Sequence, residues 1–372
     1  MRFFAALIVL VSHVELVKEG LKVNHIYGNS SILANFLEML GPTGVTFFFV
    51  LSGFLITYLL LCEQTGTQKI NIRNFYLRRM LRIWPIYILF TLMAFFLLPK
   101  IDFFYHYYLS PQLANHLGVK LTMYLCFIPG FVLAFYKSIP WAGHLWSIGV
   151  EEQFYLAWPW LTKRFSNRFF LSAIVLIITL KAAAVFYISL NQTSSDWWLK
   201  QVLAQSKFEC MIIGGWAAFL LKNNRLDRIC NWGVKYLLFW VTLIFALLIF
   251  IPTALNDVLH ILLSPLFVLV ILGFIFSKKL KWAEHPIFIF LGNISYGFYI
   301  YHMAVIVLVI KLMPNAINYW CANNFGGNLV INVLYYTLSV ILTIFIGGLS
   351  YYFFEKRFLK YKGKFAIVKS GK

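Results

Sequence analysis

Apolar stretches about as long as a bilayer is thick recur along the whole chain, separated by short polar segments. Eleven of them read as helices, near 3–14, 45–62, 83–99, 119–136, 145–162, 169–190, 208–221, 236–252, 258–277, 286–311 and 329–354. The predicted fold class is therefore all-α, a polytopic transmembrane helix bundle. The first stretch lacks a basic n-region of normal length and a clear small-residue cleavage site, so it reads as a retained helix. No long polar block interrupts the pattern. Residues 1–372 are expected to form a single integral-membrane domain with no appended soluble domain.

The polar segments orient the bundle. Lys69, Arg73, Arg78, Arg79 and Arg82 crowd residues 63–82, and Lys222, Arg225, Arg228 and Lys235 crowd 222–235. Lys278, Lys279 and Lys281 form a third group, and the tail from Lys356 to Lys372 a fourth. All four should be cytoplasmic, whereas the loops near 253–257 and 312–328, without Lys or Arg, should face outward. Both termini then lie inside, the number of spans is even, and eleven stretches cannot all cross. The conflict falls between 100 and 162. Segment 119–136 is broken by Pro129-Gly130, while 145–162 ends in the inner anchor Lys163, Arg164 and Arg168. The expectation is ten spans, with 119–136 re-entrant or interfacial and the loop 15–44 outside.

Composition agrees. The chain is 61% apolar and 12% charged, against about 25% charged in soluble domains. A soluble fold, a disordered chain and a disulfide scaffold are thereby disfavoured. The 32 basic and 13 acidic residues leave a net charge of +19. Because the basic residues sit between spans, the excess reads as topology and not as nucleic-acid binding; an anionic ligand on that face stays open. Cys62, Cys126, Cys210, Cys230 and Cys321 are dispersed, with no CxxC pair and no metal-ligand spacing to a histidine. No structural disulfide and no metal are expected.

Charged and polar residues inside the bilayer are the candidates for chemistry. Arg2 and His13 are eleven residues apart, which puts them on one helix face with roughly 16 Å of rise between them. Arg2 also serves as an inner anchor and His13 as a packed histidine, but a histidine is the usual general base near neutral pH. FYLRRMLRIWP (75–85) gathers Arg78, Arg79 and Arg82 at the start of a span. Beyond signalling topology, three guanidinium forks match phosphate oxygens. In HLWSIGVEEQFYLAWP (144–159), Ser147 precedes two adjacent carboxylates that diverge by about 100° on a helix. Glu152 is read as an interfacial solvated charge and Glu151 as the functional candidate. GNISYGFYIYH (292–302) places Ser295 and His302 on one face, with Tyr296 and Tyr299 three residues apart. Helix–helix contact and an aromatic belt would use the same residues. GVTFFFVLSGFLIT (44–57), with Gly53 after Ser52, reads as close helix packing.

Taken together, RFFAALIVLVSH, GVTFFFVLSGFLIT, FYLRRMLRIWPIY, LWSIGVEEQFYLAWP, SYGFYIYH and SYYFFEKRF, in that order, resemble the membrane-bound acyltransferase-3 family of bacterial O-acyltransferases. The resemblance covers nearly the whole chain. It implies that His13 is a catalytic base, that Arg79 and Arg82 contact acyl-CoA, that Arg2 belongs to the histidine motif, and that Glu151 is a required carboxylate. It further implies acetyl-CoA as donor, a glycan or lipid-linked glycan as acceptor, and a multi-pass protein of the bacterial cytoplasmic membrane. Two positions depart from the family pattern: residues usual before the first arginine are absent, and FEKRF has Arg357 where proline is common. Read from the residues alone, ten helices with an intramembrane His/Glu pair would equally suit a proton-coupled transporter or flippase of a lipid-linked glycan.

Overall fold

The computed structural model describes residues 1–101, 104, 115–136, 138–191, 197–251, 256–277, 280–313 and 327–365. Among these residues every regular element is helical. The bundle begins with α1 (Arg2–Leu21), α2 (Ser31–Thr67) and α3 (Ile72–Leu92), the last continuing through a π turn and a tight turn to Lys100. Ser30 and Asn71 cap α2 and α3, their side chains accepting from the amides of Leu33 and Asn74. Two short helices follow, α4 (Leu117–Leu125) and α5 (Pro129–Phe135), then α6 (Trp146–Leu161), α7 (Asn167–Asn191), α8 (Trp197–Gln205) and α9 (Phe208–Lys222). The second half contains α10 (Asp227–Lys235), α11 (Leu237–Phe250), α12 (Asn256–Phe276), α13 (Pro286–Leu312), α14 (Gly327–Ser350) and α15 (Lys356–Lys362).

Among the described residues six helices are long and apolar enough to cross a membrane, and a seventh crossing is added if α10 and α11, bent by 74°, form one broken span. Ten are not reached by length and composition, and three expected spans account for the difference. Segment 3–14 is part of α1, which runs on through Glu15, Lys18 and Glu19. Segments 145–162 and 208–221 are helices of 16 and 15 residues, or about 24 Å and 22 Å against a hydrocarbon core of about 30 Å. These three helices are supported from the side by longer neighbours. α1 packs on α2 and α13, and α9 on α2 and α7.

The α2–α9 contact is made backbone to backbone. A Cβ on Gly53 would collide with the Met211 carbonyl, and one on Gly214 with the Val50 carbonyl. The close packing read from LSGFL is therefore present, and its partner is α9. Segment 119–136 is α4 and α5, broken at 126–128, where Phe127 has φ 58° and Pro129 opens the next helix. The loop expected over 15–44 is mostly helix, only 22–30 linking α1 to α2. Cys62, Cys126, Cys210 and Cys230 are free thiols, and Cys321 lies outside the described residues.

Candidate functional site

His13 sits halfway along α1, against the middle of α13. Its Nδ1 is 2.7 Å from His302 Nε2, and the two rings stack with an angle of 5° between them. On its other side His302 places Nδ1 2.5 Å from the carbonyl oxygen of Tyr299. A carbonyl accepts only, so His302 carries its proton on Nδ1 and accepts through Nε2. His13 must then donate from Nδ1, which leaves His13 Nε2 as a free lone pair. One carbonyl thus sets two tautomers in series.

A third histidine closes the cluster. His144 begins the turn before α6, and its ring centroid is 4.6 Å from that of His302 and 6.5 Å from that of His13. His144 donates from Nε2 to the Ile300 carbonyl at 3.1 Å. Its Nδ1 is buried and has no hydrogen-bond partner among the described residues. Sequence reasoning did not select His144. The available signal was its place at the head of the 144–159 stretch, three residues from Ser147.

Two cavities share a wall here, and the larger of them reaches this cluster. One, of about 60 Å³, is lined by Arg2, Arg79, Arg82, Ser52, Glu151 and Tyr155, and also by Ser147, Ser295, Tyr296 and Tyr299. The other, of about 560 Å³, is lined by His13, His144 and Trp146, the carboxylates Glu15, Glu19 and Glu38, and the amides of Gln201 and Gln205, with Lys207. Val45 and Tyr299 line both, so they form the partition. Tyr299 Oη lies 2.7 Å from Ser147 Oγ and 3.3 Å from the His144 carbonyl.

The structure thus brings together most of the expected residues. Ser295, Tyr299 and His302 share one face of α13, at i, i+4 and i+7. Arg2, Arg79 and Arg82 converge from α1 and α3, and among the described residues none forms a salt bridge. Arg79 lies over the rings of Tyr155 and Phe75, at 5.4 and 5.7 Å. Glu151 accepts from Ser52 Oγ at 2.5 Å and faces the arginines. Tyr296 donates from its hydroxyl to the Ile83 carbonyl. Ser295 returns its hydroxyl to the Gly292 carbonyl of its own helix while lining the arginine cavity.

Two residues differ from expectation. Arg78 does not line the arginine cavity. Its guanidinium pairs with Glu63 at 2.7 Å and donates to the Phe365 carbonyl at 2.7 Å. Glu152 is not a solvated interfacial charge. One carboxylate oxygen accepts from the Trp84 indole at 3.0 Å, and the other is buried without a partner among the described residues. Adjacent residues of a helix diverge by about 100°, so Glu152 points to Trp84 on α3 while Glu151 points to the cavity.

Two further clusters were not legible in sequence. Glu15 and Lys18, both buried, pair at 2.5 Å, and Glu15 also accepts from Tyr336 at 2.6 Å and contacts His25 Nδ1 at 2.7 Å, while Lys18 bonds Asn332. Glu209, Cys210 and His260 bring three metal-type ligand atoms within 4.8 Å of one another. The Glu209 carboxylate oxygen there is shared by Lys181 at 2.5 Å and His260 at 2.6 Å, so an ammonium already supplies the counter-charge a cation would bring.

The arginine cavity and the histidine cluster are tied by α1, which carries both Arg2 and His13. Residues 1–352 match a protein family described as an acyltransferase domain. The chain belongs to the acyltransferase-3 family. It carries that family's acyltransferase domain, and its apolar helices mark a multi-pass membrane protein. Among similar curated proteins, a provisionally named O-acetyltransferase of Staphylococcus aureus strain COL is 28% identical over 345 residues, covering 86% of this chain and 53% of its own. The O-acetyltransferase OatA of Staphylococcus aureus strain NCTC 8325 is 27% identical over 332 residues, covering 85% and 52%. The chain thus spans about half the length of these relatives. No solved structure matches it.

Proposed function

We propose that the acyltransferase moves an acetyl group from cytoplasmic acetyl-CoA to a hydroxyl of a cell-surface glycan or lipid-linked glycan that reaches the site from the opposite side of the bacterial cytoplasmic membrane. The observation that carries this reading is that His13 lines the larger polar cavity, which shares the wall of Val45 and Tyr299 with a cavity of unpaired guanidiniums. O-acetylation is the activity printed in the relatives' names. The basic segments 63–82 and 222–235 support a cytoplasmic arginine cavity and cytoplasmic termini. Ten crossings, with α1, α6 and α9 counted and α4–α5 re-entrant, satisfy the same charge rule.

In this reading Arg2, Arg79 and Arg82 hold phosphate oxygens of the donor, whose thioester arm runs along α1 towards the partition. The acceptor hydroxyl occupies the larger cavity beside His13 Nε2 and His144 Nδ1. As its oxygen attacks the thioester carbonyl carbon, its proton passes to His13 Nε2. Tyr299 donates to the developing oxyanion. Collapse breaks the carbon–sulfur bond, and the thiolate recovers the proton, giving the ester and free CoA. The His302–Tyr299 carbonyl chain keeps His13 in the tautomer that can accept, so His13 is the base and His144 orients the acceptor.

The test uses purified protein, acetyl-CoA, a thiol reagent and surface glycan extracted from cells lacking the gene. Wild type should release free CoA and add acetyl mass to the glycan, and His13→Ala should do neither. A wild-type protein that moves the glycan across vesicles without consuming acetyl-CoA would overturn the reading in favour of a carrier.

A further inference from the structure

The last helix, α15, carries a basic run whose side chains are not equivalent. Lys356, Arg357, Lys360 and Lys364 are exposed, whereas Lys362 is turned inward and half-buried. Lys356 and Lys364 lie over the rings of Tyr352 and Tyr361, at 5.3 Å each. Lys362 has no hydrogen-bond or ion-pair partner among the described residues. Instead its ammonium is in electrostatic range of Arg82, Arg79, Arg2 and Arg78.

This crowding of like charge is built into the fold. α15 packs on α3, the helix that carries the arginines. Arg78 ties the turn after Lys362 to α3 through the Phe365 carbonyl, with Glu63 bracing Arg78 from α2. The neighbouring carboxylates Glu151, Glu152 and Glu355 make no salt bridge with Arg2, Arg79, Arg82 or Lys362. Unpaired cations held together at a half-buried site cost free energy unless an anion joins them. Their arrangement is graded: three guanidiniums line the cavity, whereas Lys362 does not line it and sits on the helix packed against α3.

We propose that Lys362 is the donor-binding residue that takes the 3′-phosphate of CoA, while Arg2, Arg79 and Arg82 take the pyrophosphate. This rests on the acyl-CoA reading above. The thioester arm must run inward towards His13, so the nucleotide end, with its 3′-phosphate, stays on the side where α15 and the turn after it pack on α3. Arg78 is then a positioning residue that anchors the tail helix, which is why a guanidinium of the RRMLR run is spent outside the cavity.

Isothermal titration of detergent-purified protein with CoA and with 3′-dephospho-CoA tests this. Lys362→Met should weaken CoA about tenfold, the size of one charge-assisted hydrogen bond, and leave dephospho-CoA unchanged. Lys362→Arg should restore CoA affinity, and the exposed Lys360→Met should alter neither ligand. Unchanged CoA affinity in Lys362→Met, or equal weakening of both ligands, overturns the assignment while leaving the donor reading intact. Wild-type protein that binds neither ligand overturns the donor reading and this one with it.

Discussion

The chemistry of single residues here is set by which atoms are already engaged. His13 Nδ1, both nitrogens of His302 and His144 Nε2 are bonded, leaving one open nitrogen each on His13 and His144. His13→Ala should reduce kcat by about 10² to 10⁴ while membrane insertion is retained, since the helix becomes more apolar. A variant keeping more than about a tenth of wild-type kcat would remove His13 as base. If His302 acts only through His13, His302→Ala should lower kcat, and the double variant should be no slower than His13→Ala alone. Additive losses would show an independent role for His302. Arg79→Lys and Arg82→Lys keep the charge and lose the fork, so the apparent KM for acetyl-CoA should rise with little change in kcat. Unchanged KM in both would return these arginines to a purely topological role.

At the scale of elements, the site depends on short helices held by long ones. α1 carries Arg2 and His13, and its far end holds the buried Glu15–Lys18 pair, so its position is fixed along its length. α9 supports α2 through Gly53 and Gly214, and α2 in turn presents Ser52 to Glu151. Gly53→Ala inserts a methyl group into the Met211 carbonyl and should destabilise the bundle by about 1–3 kcal/mol. Thermal unfolding in detergent measures this, and a Tm equal to that of wild type would mean that the two backbones can part at no cost. The π turn at Tyr351–Glu355 is a second such device. It delivers the buried Glu355 towards Ser350, at 3.2 Å, before α15 begins.

For the whole molecule, the open quantity is which segments cross. Cysteines introduced singly at Gly118, in the exposed start of α4, and at Ser138, between α5 and α6, bracket α4–α5 and lie on one side if α6 is the span. In a background without the five native cysteines, an impermeant maleimide should label both Gly118→Cys and Ser138→Cys on intact cells. A third position, Ser110, lies outside the described residues and should label from outside as well. Labelling of Gly118→Cys on intact cells but of Ser138→Cys only after lysis would make α4–α5 the span and α6 the re-entrant piece, and bring Glu151 to the site from the cytoplasmic face.

The apolar periodicity alone determined that this is a helical membrane protein, because a stretch of about twenty apolar residues has few other stable states. Helical spacing also placed Ser295 and His302 together, and Arg79 and Arg82, because residues of one helix keep a fixed geometry whatever surrounds them. What lay between helices was not legible. Nothing in the spacing said that His13 would meet His302 across 289 positions, that His144 would join them, or that Arg78 would turn from Arg79 towards Glu63 and the tail. α1 looked like a short span because Glu15 and Lys18 read as its end; only their mutual pairing, with Asn332 and Tyr336 from α14, allows the helix to run past them buried. Local order follows from chain geometry and solvent preference, whereas these contacts depend on how long-range packing rotates and shifts one helix against another.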